Sequence, residues 1–197
     1  MLKKPISILK NLLGRSVATA DVRGKRFVAV IDCVLNQNAR DAGAACFPAM
    51  NFELLQLCQR HGVGVLQMPC PEMAALGPER KRLPGQSLRE ALASAPGRAC
   101  CRDLAADTAD RIEGFLAIGC ELLAVLGGNP RSPGCAVLEV ADGLGSESGI
   151  FMQALQGELR RRGREVRFRG MRDHDPELLR EDLAWFEERL EAVASRK

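Results

Sequence analysis

The sequence predicts an α/β fold. Three nearly continuous apolar segments, rich in Val, Ile and Leu, have the composition of strands that are buried on both faces; they span residues 26–34, 63–68 and 121–126. Segments with apolar side chains at helical spacing separate these strands. Buried strands that alternate with helices are typical of a mainly parallel sheet with helices on both faces. We therefore expect a three-layer, Rossmann-like domain.

The remaining elements follow from local patterns along the chain. Residues 5–14 place apolar side chains at helical spacing among lysines, which predicts an amphipathic helix in an N-terminal extension, residues 1–25. A single α/β domain then spans residues 26–170, and residues 171–197 form a C-terminal helix packed on it. Apolar periodicity predicts the other elements of the chain in the following order: helix 47–61, helix 99–118, helix 149–162, strand 166–168 and helix 176–194.

Composition and charge disfavour several classes of function. Of the 197 residues, 46% are hydrophobic and 27% are charged, as in an ordinary globular protein. The net charge of +3 is too small to indicate stable nucleic-acid binding, and seven Phe, one Trp and no Tyr offer few stacking platforms. No apolar run approaches the roughly 18 residues of a membrane span. Because the N-terminus lacks the pattern of a signal peptide, we expect a cytoplasmic monomer or homodimer with free thiols.

Charges of opposite sign are segregated near the end of the chain. Residues 158–172 contain seven Arg and two acidic residues, whereas residues 173–191 contain eight acidic residues and two Arg. A basic stripe for nucleic acid is one interpretation. The favoured interpretation is that the acidic C-terminal helix lies near the basic segment, because opposite charges steer such docking without a partner.

Three of the eight cysteines follow the predicted strands. Cys33 ends the first strand, Cys70 lies two residues after the second, and Cys135 lies in the loop after the third. Because the carboxyl ends of parallel strands meet at one edge of a sheet, where ligands bind, these thiols are expected to converge. Three converging thiolates are a candidate site for a soft metal.

The spacing of these cysteines restricts the kind of metal site. The gaps are 37 and 65 residues without a Cys-x-x-Cys pair, which disfavours zinc fingers, zinc ribbons and ferredoxin-type clusters. If the metal is a four-iron cluster, three thiols leave one iron without a protein ligand. An open coordination position is typical of catalytic zinc sites, and we extend this by analogy to iron. Cys46 could also approach the site. The other thiols are interpreted as filler: Cys58, Cys100, Cys101 and Cys120.

Polar residues beside these cysteines could take part in chemistry. Glu72 is a candidate general acid or base beside a metal-bound group. Arg80 offers a fork of donors for a planar or anionic ligand. Asn36 and Asn38, with Gln37 between them, offer amide groups suited to the edge of a nucleobase. We therefore expect a substrate to contact Asn36, Asn38 and Arg80.

Four segments of the sequence resemble the thiouracil desulfidase (TudS-like) family, above all its desulfidase-related branch. They are residues 30–38 (VIDCVLNQN), residues 67–72 (QMPCPE) with Gly77 and Arg80 downstream, residues 132–135 (SPGC), and residues 149–152 (GIFM). The similarity covers roughly residues 26–168. Family members commonly have Ser-Pro-Ser-Cys-Gly where this chain has Ser-Pro-Gly-Cys-Ala, a difference that concerns the bend of the loop and the choice of substrate.

The resemblance implies a cofactor and a reaction. It implies a [4Fe-4S] cluster held by Cys33, Cys70 and Cys135, whose fourth iron takes sulfur from a thiolated small molecule such as a thiopyrimidine base or nucleotide. The residues that match the family's proton-transfer and water-activating groups are Glu72 and Ser132. The expected activity is a non-redox desulfidase.

Two alternatives to a desulfidase stay open at this point. The same three thiols would serve a non-catalytic metal- or cluster-binding module with a structural or sensing role. A nucleotide-binding domain is the other alternative, because residues 143–149 (GLGSESG) follow an expected strand at 137–140 and precede a helix. Their glycine spacing is not G-x-G-x-x-G, which disfavours a dinucleotide.

Overall fold

A four-stranded parallel sheet forms the centre of the fold. In the computed structural model, which describes residues 21–194, the strands are β1 (Arg26–Ile31), β2 (Gly64–Met68), β3 (Glu121–Gly127), β4 (Glu139–Val140), β5 (Gly143–Leu144) and β6 (Phe168–Gly170). The main sheet has the order β2-β1-β3-β6, and every neighbouring pair in it is parallel. β4 and β5 form a separate antiparallel hairpin. The helix expected at residues 5–14 lies outside the described residues.

Helices cover both faces of this sheet. They are α1 (Asp32–Leu35), α2 (Phe52–Arg60), α3 (Pro71–Leu76), α4 (Leu88–Ala93), α5 (Ala95–Ala117), α6 (Ile150–Arg161) and α7 (Pro176–Ala194). α5 packs against α6, as right-handed crossovers in this strand order require, and α2 packs against α7. The predicted three-layer, Rossmann-like α/β fold is confirmed. Among residues 21–194, no helix is both long and apolar enough to cross a membrane.

Burial along the strands reflects their position in the sheet. β1 is central, and residues 27–31 of this strand are all buried. β2 was expected to be buried on both faces, but it is an edge strand in which Gly64, Val65 and Gln67 are exposed. The sequence pattern does not separate the two cases, because a short apolar run is compatible with an edge or a central position.

Several predicted boundaries were wrong by a few residues. The first strand ends at Ile31, and residues 32–35 form a helical turn instead of its continuation. The helix expected at 47–61 begins only at Phe52, because the side chain of Asn51 accepts a hydrogen bond from the Leu54 N–H and caps it. The strand expected at 166–168 lies at Phe168–Gly170.

Two further boundaries depend on serine caps. The helix expected at 99–118 begins at Ala95, where the Ser94 side chain caps it. A short helix, Leu88–Ala93, precedes it and begins with a capping box between Ser87 and Glu90, which the sequence analysis did not identify.

The C-terminal helix α7 lies beside the basic segment, as the segregated charges indicate. Asp182 on α7 is fully buried and accepts hydrogen bonds from the guanidinium groups of Arg169 and Arg172, at 2.8 and 2.7 Å. The Arg169 guanidinium also lies over the ring of Trp185. The basic segment therefore contacts the chain's own C-terminal helix, and the predicted span of that helix, 176–194, is confirmed.

Candidate functional site

Three cysteines from distant parts of the chain line one cavity at the carboxyl edge of the sheet. Cys33 lies in α1 directly after β1, Cys70 is the residue that precedes α3 after β2, and Cys135 lies in the loop after β3. All three are buried and border a cavity of about 200 Å³. A larger cavity of about 620 Å³ lies beside the β4–β5 hairpin, but no thiol lines it.

The three thiols interact with one another and with nearby charges. A hydrogen bond between the Cys33 and Cys135 side chains lowers the pKa of Cys33 and raises the pKa of Cys135 well above its usual value, to which burial also contributes. Burial raises the pKa of the Cys70 thiol, and the nearby Arg80 guanidinium partly opposes this. The charge state of each of these three thiols therefore affects the pKa of its neighbours, through a hydrogen bond between Cys33 and Cys135 and through charge between Cys33 and Cys70.

Glu72 and Ser132 face each other beside Cys135. The Ser132 hydroxyl donates a hydrogen bond to Oε1 of Glu72 at 2.8 Å, and its Oγ lies 3.0 Å from Sγ of Cys135. The Cys135 backbone N–H donates to the same Oγ at 3.1 Å. Glu72 is buried in the first turn of α3, where the N-terminal end of a helix favours a carboxylate. The two residues that match the family's reactive pair are thus in direct contact at the thiol cavity.

Arg80 lies at the cavity, but its donor fork is largely occupied. The side chain is buried and donates to the carbonyls of Pro78 and Ala39, at 2.9 and 2.5 Å. Its Nη2 lies 3.6 Å from Sγ of Cys70, and its Nε lies 3.8 Å from Oε2 of Glu72. Carbonyl groups of the chain thus hold both terminal nitrogens, and the guanidinium places a buried positive charge between a thiol and a carboxylate. The expected contact of Arg80 with substrate stays a prediction.

Asn36 and Asn38 do not line the cavity. The Asn36 side chain accepts hydrogen bonds from the backbone and side-chain N–H groups of Asn38, at 3.1 and 3.0 Å, and both residues are exposed. The two residues thus form a local cap of the 3-10 turn Gln37–Ala39, and their expected contact with substrate stays a prediction. Gln37 is the buried amide of the three. It donates to the Cys33 carbonyl at 2.7 Å and accepts from the Cys46 N–H at 2.8 Å.

Arg40 and Asp173 are site residues that the sequence analysis missed. Arg40 lines the thiol cavity, and its guanidinium forms an ion pair with Asp173, which follows β6. Asp173 comes from the carboxyl end of a strand, as the three cysteines do. The rule that identified the cysteines could have identified Asp173, had it been applied to the last strand.

Gly128 gives the Cys135 sulfur its space. This residue directly follows β3, and a Cβ atom built on it would lie 2.5 Å from Sγ of Cys135. A side chain at this position would displace the thiol, so the close approach of the loop to the strand end requires glycine. Gly128 is therefore part of the site.

The segment considered for nucleotide binding supports the Cys135 loop instead. The strand expected at 137–140 is reduced to Glu139–Val140, which pairs in the antiparallel hairpin and not in the main sheet. At the start of α6, the N–H groups of Ile150 and Phe151 donate to the carbonyls of Pro133 and Gly134, both at 3.0 Å. Donors that an anion would need are thus occupied by the loop.

The remaining thiols are distributed outside this cavity. Cys46 is exposed and lines a different cavity beside Asp173. Cys58 and Cys101 are buried in the hydrophobic core, on α2 and α5. Cys100 and Cys120 are half-buried. The three thiols at strand ends therefore differ from the other five by their common position.

The donor set of the cavity is three buried thiols at strand ends, the ligand type that iron–sulfur clusters use. Among residues 21–194, no group of three His, Cys, Asp or Glu side chains is arranged as a ready site for one metal ion. The buried guanidinium groups of Arg40 and Arg80 each have an Nε without a hydrogen-bond partner, and such cationic donors suit an anionic group. Cys33, Cys70 and Cys135 would hold the cluster.

Comparison of the chain with family models, with curated proteins and with solved structures gave no match.

Proposed function

We propose that this protein is an iron–sulfur-dependent desulfidase that hydrolyses the carbon–sulfur bond of a small thiolated molecule, such as a thiopyrimidine base or nucleotide. The observation that carries this proposal is the meeting of three cysteines with a carboxylate–hydroxyl pair in one cavity. The reaction converts a thiocarbonyl group and water into a carbonyl group and hydrogen sulfide. Because no electrons are gained or lost, it needs no redox partner.

The proposed cofactor is a [4Fe-4S] cluster held by Cys33, Cys70 and Cys135. When bound, it supplies an iron that lacks a protein ligand and can act as a Lewis acid toward the sulfur atom of the substrate. The cysteines hold the cluster at the carboxyl edge of the sheet, where open α/β sheets bind their ligands.

Glu72 acts as the general base of the proposed reaction. Its buried carboxylate accepts a proton from a water molecule, whose oxygen attacks the carbon that bears the sulfur. A carbon–oxygen bond forms, the carbon–sulfur bond breaks, and the two protons of the water leave with the sulfur as hydrogen sulfide. The guanidinium of Arg80, 3.8 Å from the carboxylate, balances the negative charge of Glu72 before the proton transfer.

Ser132 orients the carboxylate and the loop of Cys135. Its hydroxyl donates to Glu72 at 2.8 Å and accepts from the Cys135 N–H, so one side chain ties the proposed base to the loop that carries a cluster ligand. Apolar residues form another part of the wall and suit a planar ring: Ala39, Ala44, Leu88 and Pro133.

The decisive experiment is an analysis of metal and activity after anaerobic purification. We expect iron and acid-labile sulfide in equal amounts, four of each per chain, and release of sulfide from thiouracil. Cys33→Ala, Cys70→Ala and Cys135→Ala should each lose the cluster. Cys58→Ala, which removes an equally buried thiol outside the cavity, should keep it. A Cys70→Ala protein that still holds the full complement of iron would contradict the proposal.

The same analysis distinguishes the alternative of a non-catalytic metal-binding module. One zinc per chain without sulfide would support that alternative. It has weaker support, because it gives no role to the contact between Ser132 and Glu72 beside the thiols. A full cluster without sulfide release from any thiolated base or nucleotide would support a structural or sensing role.

A further inference from the structure

Arg40 and Asp173 form a buried ion pair at the wall of the thiol cavity. Their side chains are 5% and 0% exposed, and Nη2 of Arg40 contacts Oδ2 of Asp173. Arg40 follows the 3-10 turn after β1, whereas Asp173 follows β6, more than 130 residues later in the chain. The pair thus connects the loop beside Cys33 with the segment that leads into α7.

The pair is incompletely satisfied by its surroundings. Nη1 of Arg40 donates to the carbonyl of Ala44 at 3.0 Å and lies 3.4 Å from Sγ of Cys46, but Nε of Arg40 and Oδ1 of Asp173 are buried without a hydrogen-bond partner. Removing two charges from water is costly, and a buried ion pair regains this cost only when its remaining polar atoms are satisfied. Stability of the fold alone therefore does not account for a pair of this kind at this position.

The charge of the cavity suggests what the pair does. With a cluster bound, three thiolates and the carboxylate of Glu72 would concentrate negative charge in a small buried space, and two guanidinium groups line the same space. Arg80 faces Cys70 and Glu72, whereas Arg40 lines the cavity together with Cys33, from the loop that follows this residue, and its charge interacts with that thiol. Each cation thus serves a different part of the anionic group.

We propose that Arg40, held in place by Asp173, is a positioning residue for the cluster. Its positive charge stabilises the anionic cluster on the side of Cys33, and Asp173 prevents the long side chain from turning toward solvent. The inference rests on the proposed function, because it needs a cluster in the cavity. The inference adds β6 to the strands that position the site. Residues that follow the carboxyl ends of β1, β2, β3 and β6, all four strands of the main sheet, then take part in it.

The test compares Arg40→Gln with a matched control, Arg172→Gln. Arg172 also forms an ion pair with a buried aspartate, Asp182, and lies in the same segment, but it does not line the cavity. We expect Arg40→Gln to hold its iron about 10- to 100-fold more weakly against a chelator than the wild type, as is usual when a group that supports metal ligands is lost. Arg172→Gln should retain iron as the wild type does.

A second readout reports charge and not packing. Loss of a positive charge disfavours the addition of an electron, so the reduction potential of the cluster should become more negative in Arg40→Gln. Arg40→Lys, which keeps the charge, should restore the potential in large part. Asp173→Asn keeps the shape of its side chain and should also weaken iron retention, so it decides the matter if Arg40→Gln does not fold.

The outcomes separate this inference from the proposed function. A wild-type protein without iron and sulfide after anaerobic reconstitution overturns both. Only the inference is overturned if the wild type holds a full cluster but Arg40→Gln, or Asp173→Asn in its place, matches Arg172→Gln in iron retention and in reduction potential.

Discussion

Glu72 is the residue on which the proposed chemistry depends most directly. We expect Glu72→Gln to keep the fold and the iron content, because the amide retains the shape of the side chain and an oxygen that can accept from Ser132. The amide cannot accept the proton of water, so sulfide release should fall by about 10²- to 10⁴-fold, the usual contribution of a general base.

The matched control for Glu72 is Glu79→Gln, three residues beyond α3. Glu79 is exposed and pairs with Lys81 at the surface, so its substitution should leave turnover unchanged. Anaerobic assays of sulfide release, with iron counted on the same samples, check both variants. Undiminished turnover in Glu72→Gln would exclude it as the base.

Gly134 marks the point where this chain differs from the family it resembles. A Cβ atom at this position would lie 2.6 Å from Cγ of Pro71 and 3.4 Å from Cγ of Glu72. The loop of Cys135 therefore packs directly on the first turn of α3, in contact with the residue that precedes the proposed base. A serine, which family members commonly have here, does not fit without movement of one of the two segments.

We accordingly expect Gly134→Ser to be harmful in this chain. Overpacking of this kind costs about 1–3 kcal/mol of unfolding free energy, and a shift of Pro71 would move Glu72 away from Ser132. The free energy of unfolding, measured by chemical denaturation, and the rate of sulfide release should both decline. Gly157→Ala on α6 is the control, because no atom lies within 4 Å of a Cβ built there and alanine favours the helix. Wild-type behaviour of Gly134→Ser would mean that the loop adapts freely.

At the scale of elements, long and strongly patterned segments were predictable and short ones were not. β1 and β3 carry continuous apolar runs, and α7 carries a regular apolar stripe over 19 residues, so their identity and approximate limits follow from the sequence. α4 has only six residues, and its existence depends on the local capping box at Ser87. Local hydrogen bonds of this kind leave a weaker signal than a hydrophobic period.

The same contrast applies to the site. The three cysteines, Glu72 and Ser132 could be placed together because each follows a predicted strand and parallel strands end at one edge. Side-chain direction could not be predicted, since the exposed Asn36 and Asn38 and the buried side chain of Arg40 all lie in the same short segment after β1. The partnership of Arg40 with Asp173 depends on two loops from opposite ends of the chain, and no pattern within either loop indicates it.

At the scale of the whole molecule, the thiols divide between the site and the hydrophobic core. Burial raises the pKa of Cys58 to about 11 and that of Cys101 to about 12. The chain contains no tyrosine, so cysteines account for much of its titration in the alkaline range. The core thiols must be protonated to stay buried, and this requirement connects the stability of the fold to pH.

The sign of this dependence follows from the direction of the shifts. When the pKa of a thiol is higher in the folded than in the unfolded chain, only the unfolded chain can release that proton between the two pKa values. The contribution of the thiol to the free energy of unfolding is therefore complete below about pH 9 and declines as pH rises toward 12. For Cys101 the loss at about pH 10.5 amounts to roughly 2 kcal/mol of unfolding free energy. The free energy of unfolding of Cys101→Ala, measured by urea titration under reducing conditions, should therefore decline less steeply between pH 9 and 10.5 than that of the wild type. Cys100→Ala, which removes the half-buried neighbour, should keep most of the wild-type slope. Equal slopes in the two variants would show that alkaline unfolding begins elsewhere, with the thiols of the cavity as the next groups to substitute.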